Sequence, residues 1–281
     1  MSQDTGILHI TKRNGEKVPF DVQKLIDSLD RSGASEENIQ HVIHEVARNM
    51  VDGMSTRKVY QLAYSILRRK SKHAAGKYRL KKAIFELGPT GYPFERFVGE
   101  LLKNQGYTVE VGQIVQGYCV QHEVDVVAEK NEHRYIIECK FHSDLSTKSD
   151  VKVSLYFHSR FLDIKKQWES RPDNHRAVHQ GWLVTNTRFT EDALQYGRCA
   201  GLEMISWDYP ERGSLKERID VSGLHPITAL QSLTKKEKQH LLEHNIVMCK
   251  DIDHETLESA GINRAKFKGI IKEAESLVAS Q

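Results

Sequence analysis

The chain has 281 residues, of which 39% are hydrophobic and 28% charged, and its formal net charge is +3. This length suits two or three small domains, and the lack of any apolar run of about 18 residues predicts no membrane span. The first residues lack the order of a signal peptide and the four cysteines form no CxxC pair, so we expect a reduced, cytoplasmic protein without a zinc ribbon or a disulfide framework.

Positive charge is concentrated at the front of the chain. Residues 1–90 carry a net charge of +6 and residues 91–220 one of −3, while residues 221–281 are neutral. The excess includes the run RRKSKHAAGKYRLKK at 68–82. Such a run favours a phosphate or polyanion partner, although a solvated helix face would give the same pattern.

The first 70 residues give strand and helix signals in turn. Asn14-Gly15 separates two apolar runs, which predicts a β-hairpin with strands at 7–10 and 18–20. Three amphipathic helices are predicted after it, within 21–33, 35–53 and 55–70. The predicted fold of this module is a mostly helical bundle with a small β-hairpin.

Four short motifs stand out in this module: T-K-R-N-G at 11–15, P-F-D at 19–21, D-G-M-S-T at 52–56 and Y-R-L-K-K-A-I at 78–84. Together they resemble the ATP-cone, the nucleotide-binding regulatory domain of ribonucleotide reductases and of some of their gene regulators. The resemblance covers residues 6–88 and implies ATP or dATP as a regulatory ligand. It places Lys12, Arg13 and Lys24 against the triphosphate, whose charge and geometry such side chains match. Thr56 would lie near the base or ribose; a basic hairpin without a ligand is the alternative.

The periodicity restarts after Gly-Pro-Thr-Gly at 88–91. A helix is predicted at 92–106, ending at Gly106, and another at 190–201. Strands are predicted at 107–115, 122–129, 133–141, 181–186 and 203–207, with a further helix between the third and the fourth. Strands flanked by helices predict an α/β domain with a mixed central sheet.

Three ionisable residues lie at the ends of two predicted neighbouring strands. Asp125 begins one apolar run, and Glu138 and Lys140 close the next. Side chains two apart on a strand share a face, so Glu138 and Lys140 point the same way and Cys139 points into the core. Two carboxylates are enough protein ligands for Mg²⁺, and the lysine could hold or deprotonate a water for attack on a phosphodiester. The spacing alone would also fit surface charges at strand ends.

This layout resembles the PD-(D/E)xK nuclease superfamily, and within it the Mrr-like restriction endonucleases. The matching motifs are F-E-R-F at 94–97, E-V-D-V at 123–126, I-E-C-K at 137–140 and V-T-N-x-x-F-T-x-x-A at 184–193, in a predicted domain of residues 92–210. The resemblance implies that Asp125 and Glu138 bind Mg²⁺ or Mn²⁺ and that Lys140 assists the nucleophilic water. Glu95, on the first helix, would complete the acidic cluster.

Two positions depart from that pattern. The proline that usually precedes the aspartate is Val124 here, and the helix after the core motif has no clear match to the family's glutamine. Gln167 lies too far along the chain to take that place. The contribution of this helix to the site therefore stays open, as does a noncatalytic member of the fold.

The end of the chain is predicted to be an all-α domain at 224–281, joined by a linker at 222–228. The order of L-L-E-H-N-I, then L-x-x-A-G-I-N-x-A-K, then I-I-x-E-A resembles the helix-hairpin-helix-like domains of recombinase N-termini. That resemblance implies a DNA phosphate at the turn of Gly261 and Asn263, with Arg264 and Lys266 beside it. A helical protein-protein module would have the same shape.

The leading hypothesis is a multidomain, metal-dependent DNA endonuclease that hydrolyses phosphodiesters under the control of ATP or dATP. We expect DNA and nucleotide as partners, no membrane, and a homo-oligomer, dimer or higher. The alternatives are a nucleotide-responsive DNA-binding regulator, a noncatalytic protein of the nuclease fold, and a structure-specific nuclease with the same chemistry that acts on branched or damaged DNA. The lack of a cysteine zinc ribbon disfavours the regulator, and the acidic cluster favours the enzyme.

Overall fold

The computed structural model of the protein describes residues 8–12, 14–170 and 178–278. The chain divides into two compact units, the first ending at Leu80 and the second beginning at Lys81. None of the helices in these ranges is both long and apolar enough to cross a bilayer. The protein is multidomain and combines helices with mixed sheets, as predicted; the domain boundaries at 88, 92 and 210 remain predictions.

The first unit begins with a three-stranded sheet. Strand β1 (His9–Thr11) pairs antiparallel with β2 (Lys17–Pro19), which is the predicted hairpin. It also pairs in parallel with β3 (Met54–Ser55). Strand β3 was not predicted, because two residues are too few to produce a strand pattern. The β3 pairing brings Asp52 to the start of β1, where its carboxylate accepts the His9 N–H at 2.8 Å.

Helices supply the core of the first unit. Asp21, Ser35 and Ser55 cap the first three helices, each accepting a backbone N–H three residues further on. The buried side chains recur at helical spacing, and those with no solvent exposure include Leu29, Val42, Ala63 and Leu67. The helices are α1 (Val22–Asp30), α2 (Glu36–Asn49), α3 (Thr56–Lys70) and α4 (Lys72–Tyr78).

A five-stranded sheet forms the centre of the second unit, in the order β10-β8-β6-β5-β4. Strand β5 is antiparallel to both β4 and β6, whereas β6, β8 and β10 run parallel to one another. The predicted mixed sheet is therefore present. The strands are β4 (Thr108–Gln116), β5 (Gln121–Lys130), β6 (His133–Lys140), β7 (Lys148–Ser149), β8 (Val178–Thr185), β9 (Arg188–Phe189) and β10 (Glu203–Ile205), with β7 and β9 forming a separate parallel pair.

Helices pack on this sheet through apolar faces. Helix α6 contacts β4, β5 and β6, while α7 contacts β4, β8 and α8. Phe94 and Phe97 of α6 are fully buried, as are Phe157 and Ile164 of α7. The helices of this part are α5 (Leu80–Phe85), α6 (Tyr92–Asn104), α7 (Val151–Glu169), α8 (Glu191–Cys199) and α9 (Leu215–Ser222).

The predicted linker at 222–228 is wrong, because this segment is buried. Thr228 is fully inaccessible, and its hydroxyl donates to the Ala83 carbonyl at 2.7 Å. The Ile227 N–H bonds to Val247 O, and Cys249 N–H bonds to His225 O. The Thr228 hydroxyl and the backbone of this segment therefore make hydrogen bonds inside the unit, whereas the sequence alone suggested a solvated connection. Helices α10 (Lys235–Glu243), α11 (His254–Ser259) and α12 (Phe267–Val278) follow.

Candidate active site

Strands β5 and β6 separate at the predicted acidic residues. Their ladder ends at the pair Val126 and Ile137, so the next residues, Asp125 and Glu138, lie outside it. Oδ2 of Asp125 instead accepts the Cys139 N–H at 2.6 Å. A side-chain carboxylate thus takes the place of a backbone carbonyl as the hydrogen-bond acceptor between the strands. The backbone ladder therefore ends at the two acidic residues.

Lys140 and Cys139 lie on opposite faces of β6. Cys139 is buried, while the Lys140 side chain is exposed. The Lys140 carbonyl accepts the Thr185 hydroxyl at 2.8 Å, which fixes the backbone at the end of the strand. The ammonium group is therefore available to solvent or to a ligand, beside Glu138.

The structure adds Arg160, on α7, to the predicted residues. Its Nη1 donates to Oε2 of Glu138 at 2.5 Å and to the Glu123 carbonyl at 3.0 Å. Its guanidinium carbon lies 5.0 Å from the ring centroid of Tyr156. The helix whose role was left open thus supplies a cation to the site.

A signal for Arg160 was present in the sequence. The residue lies within the apolar stripe that Phe157, Phe161 and Ile164 form on α7. An arginine on a buried helix face requires a partner, because an unpaired buried charge is costly. The sequence did not show which carboxylate that partner was, since Glu138 is 22 residues away.

Burial, and then the neighbouring carboxylates, raise the pKa values of the acidic side chains. Burial is the main cause for Glu95, and the charges of Asp125, Glu123 and Glu138 add to it, raising the pKa of Glu95 to about 7. Burial and then Asp125 raise the pKa of Glu138, against the opposing effects of Arg160 and Lys140. Burial also raises the pKa of Asp125, despite the Cys139 N–H. The four carboxyl groups of the site, Glu95, Glu123, Asp125 and Glu138, thus outnumber its two cations, Lys140 and Arg160.

This donor set fits a hard divalent cation. Mg²⁺ takes oxygen ligands, keeps several waters and usually needs only one or two protein carboxylates, and Mn²⁺ shares the preference for oxygen. Asp125 and Glu138 supply two carboxylates where negative charge is in surplus, although one oxygen of Glu138 bonds to Arg160. In the ranges that the structure describes, no three His, Cys, Asp or Glu side chains form a ready metal cluster.

Replacing Glu95 by Gln should stabilise the metal-free protein at alkaline pH. Because the pKa of Glu95 is raised from 4.5 to about 7, the folded state binds its proton more tightly than the unfolded state does. Stability is therefore lost as the pH rises between these values, and the loss is complete above about 7. In EDTA at about pH 8 we expect a Tm roughly 2–4 °C above that of the wild type, and no difference at about pH 5.

Glu100 on the same helix provides a matched control of opposite sign. Burial raises the pKa of Glu100, but hydrogen bonds from Lys103 and Lys250 outweigh burial and lower it overall. The stability from these contacts is present above the ordinary pKa and is lost as the pH falls. Glu100→Gln should thus lower the Tm at alkaline pH. If both variants changed the Tm equally, the result would contradict the raised pKa of Glu95.

The predicted nucleotide ligands lie on the surface of the first unit. Lys12, just after β1, is 3.1 Å from Glu16, and Lys24, in the first turn of α1, is 3.4 Å from Asp21. The Thr56 hydroxyl donates to the carbonyl of Thr11 at 3.3 Å. Both ion pairs are exposed, so they are weak enough for a phosphate to replace. Arg13 lies outside the described residues.

The predicted DNA ligands near the end of the chain have partners within the protein. Lys266 lies 2.7 and 2.9 Å from the two carboxylate oxygens of Glu237, and Arg264 pairs with Glu258. The Asn263 side chain accepts the Ala265 N–H, and Gly261 adopts a φ of 66°. The turn is present, but its cations are neutralised, so phosphate binding there remains a prediction.

Comparisons with known proteins match all three parts of the chain. Residues 8–83 match the ATP cone domain, residues 89–159 a restriction endonuclease family, and residues 225–278 the AF1548-like C-terminal family. An uncharacterized protein of Archaeoglobus fulgidus is 34% identical over 184 residues, which are 64% of this chain and 99% of the relative. The chain belongs to the AF1548-like family. The predicted fusion of an ATP-cone, a restriction-endonuclease-like domain and a separate C-terminal domain is confirmed.

A solved structure supports the assignment to the AF1548-like family. The crystal structure of AF1548, a protein of unknown function, is 33% identical, covers 68% of this chain and 100% of that chain, and has a TM-score of 0.57. Can2 from Sulfobacillus thermosulfidooxidans, in complex with cyclic tetra-adenylate, is 13% identical with a TM-score of 0.29, too low for any inference. This AF1548-like chain therefore joins a nuclease fold to an ATP-cone.

Proposed function

We propose that this AF1548-like protein is a Mg²⁺- or Mn²⁺-dependent endodeoxyribonuclease whose cleavage responds to ATP or dATP. The observation that carries the proposal is the opening of the β5–β6 ladder at Asp125 and Glu138. Two half-buried carboxylates at this opening, in a site where carboxyl groups outnumber cations and beside an exposed lysine, favour cation binding over simple solvation. The match to a restriction endonuclease family supports DNA as the substrate.

Each side chain has a separate task in this proposal. Asp125 and Glu138 would hold the metal, which offsets charge on the phosphoryl oxygens when bound. Lys140 donates hydrogen bonds to the attacking water or to a nonbridging oxygen, which orients the nucleophile. Arg160 keeps Glu138 in place through its 2.5 Å hydrogen bond. The pKa values of Glu95 and Glu138 are both raised to about 7. Because Glu138 would hold the metal, Glu95 would be the proton acceptor or donor.

A cleavage assay tests this function directly. The purified full-length chain would be incubated with supercoiled plasmid and with linear DNA, in Mg²⁺, Mn²⁺ or EDTA, with and without ATP and dATP. We expect nicked or linear products with either metal and none in EDTA. No cleavage with any metal and nucleotide combination would reject the enzyme, and a rate independent of nucleotide would reject the regulation.

Lys12→Ala should weaken ATP binding about tenfold or more, because a hydrogen bond to a charged group contributes roughly 1.5–3 kcal/mol. Calorimetric titration of the full-length chain with ATP and with dATP would measure the change. Lys17→Ala is the matched control, since Lys17 is an exposed lysine of the neighbouring strand β2 outside the predicted triphosphate site. Equal effects of the two substitutions would show that only the general positive charge matters.

A further inference from the structure

Large apolar side chains are exposed beside the candidate active site. Tyr118 and Val120 lie on the β4–β5 turn and are 53% and 57% exposed, while Tyr156 and Leu162 lie on α7 and are 66% and 49% exposed. We call these four residues the Tyr118–Tyr156 surface. Single exposed apolar residues are ordinary, but a group of large ones, of which Val120, Tyr156 and Leu162 line one cavity, is typical of a binding site.

The turn that carries Tyr118 is held in one conformation. Asp163 of α7 accepts the N–H groups of Cys119 and Val120 at 2.9 and 3.4 Å and bonds Nε2 of His122 at 2.8 Å, and its carbonyl accepts the Tyr118 N–H. A Cβ at Gly117 would lie 2.1 Å from the same carboxylate, so glycine is required there. These contacts fix the backbone of the turn, and the turn holds the Tyr118 side chain in an exposed position.

A surface cavity of about 460 Å³ lies between the turn and α7. Its lining includes Val120, Tyr156, Arg160, Leu162 and Lys166, a mixture of apolar and cationic groups. The volume falls within the roughly 300–1,000 Å³ of small-ligand sites. The cavity therefore has room for a nucleotide.

Two cations accompany the two exposed tyrosines. Nζ of Lys166 lies 3.8 Å from the ring centroid of Tyr118, and the guanidinium of Arg160 lies over Tyr156. Nε of Arg160 is buried and, in the part of the chain that the structure describes, has no hydrogen-bond partner. A buried donor without a partner is uncommon in native structures. Arg160 also bonds Glu138, so this cavity adjoins the acidic cluster.

We propose that the Tyr118–Tyr156 surface binds unpaired nucleotides of single-stranded DNA next to the cleavage site. Aromatic rings with adjacent cations are the usual means of holding single strands, because bases stack on the rings while the cations meet the backbone. Bases within a duplex are stacked on each other and cannot reach such rings. This inference rests on the proposed function, which it makes more specific: the enzyme selects frayed, flapped or single-stranded DNA.

The test is a binding measurement that needs no catalysis. Fluorescence anisotropy in EDTA would compare a labelled oligothymidylate with a fully paired duplex, using the full-length chain. We expect the wild type to prefer the single strand, and Tyr118→Ala or Tyr156→Ala to weaken that binding about fivefold or more each, as expected for loss of a stacked base. Tyr118→Phe keeps the ring and should bind like the wild type, and duplex binding should be unchanged in all variants.

Several outcomes would overturn the inference. These are equal wild-type affinity for single strand and duplex, unchanged binding by both alanine variants, and an equal loss in Tyr118→Phe. If sedimentation shows that Tyr118→Ala changes the oligomeric state and leaves single-strand affinity unaltered, the surface joins two copies of the chain instead. The binding assay contains EDTA and no metal, so it is independent of the cleavage assay. Failure of cleavage would reject the proposed function and would leave the measured preference for single strands unaffected.

Discussion

Asp125→Asn should abolish metal-dependent DNA cleavage while leaving the fold intact. Asparagine keeps an oxygen that can accept the Cys139 N–H, the contact that Asp125 makes at 2.6 Å, but it loses the charge that binds a cation. We expect a loss of roughly 100-fold or more in cleavage rate, since changing even the outer partners of a metal site costs about 10–100-fold. Glu138→Gln should give a loss of the same order.

The measurement is the rate of plasmid nicking in Mg²⁺ and in Mn²⁺, with thermal melting as the test of folding. Metal should raise the Tm of the wild type by binding the folded state, and this rise should disappear in Asp125→Asn. Glu110→Gln is the matched control, since Glu110 is an exposed carboxylate on the adjacent strand β4. Cleavage at the wild-type rate in Asp125→Asn would exclude the site.

Lys140→Ala should separate chemistry from metal binding. The side chain is exposed at the end of β6, and only its backbone carbonyl takes part in the contact with Thr185, so the fold should survive. If the ammonium donates hydrogen bonds to the nucleophile or to a nonbridging oxygen, its loss should reduce cleavage by about 10²–10³-fold, the usual cost of removing one such donor. The rise in Tm with metal should persist, because both carboxylates remain.

Single-turnover cleavage and thermal melting with and without Mn²⁺ would measure these two effects on the same protein. Lys148→Ala provides the control, since Lys148 is an exposed lysine on β7 outside the cluster. Loss of both cleavage and the metal-induced rise in Tm would show that Lys140 supports the site structurally. Retained cleavage would remove it from the proposed mechanism.

Local sequence patterns were sufficient to predict the two strands, β5 and β6, that carry the candidate site. Alternation along β6 placed Glu138 and Lys140 on one face, and the short turn before it made β5 and β6 neighbours. The paired strand ends therefore followed from spacing. The structure shows in addition that the ladder stops at Val126 and Ile137, which depends on the Asp125 side chain as well as on strand propensity.

Contacts between residues far apart in the sequence could not be predicted from local sequence patterns. Arg160 reaches Glu138 across 22 residues and Asp163 reaches Cys119 across 44, and no local periodicity encodes such pairs. The same reason explains the error at 222–228, where Thr228 closes a hydrogen bond with Ala83, 145 residues away. It also explains why the predicted cations Arg264 and Lys266 prove to be paired with Glu258 and Glu237.

The sequence by itself determined the three-part organisation and the positions of the acidic residues, because hydrophobic periodicity, turn residues and motif spacing are local properties. The tertiary structure alone decided which charges meet: it paired Glu138 with Arg160, and it buried Glu95 near other carboxylates, which raises the pKa of Glu95 to about 7. It also placed Tyr156 in the lining of a cavity. Charge and burial act through space, and neighbours in space are set only when the sheet and its helices pack together.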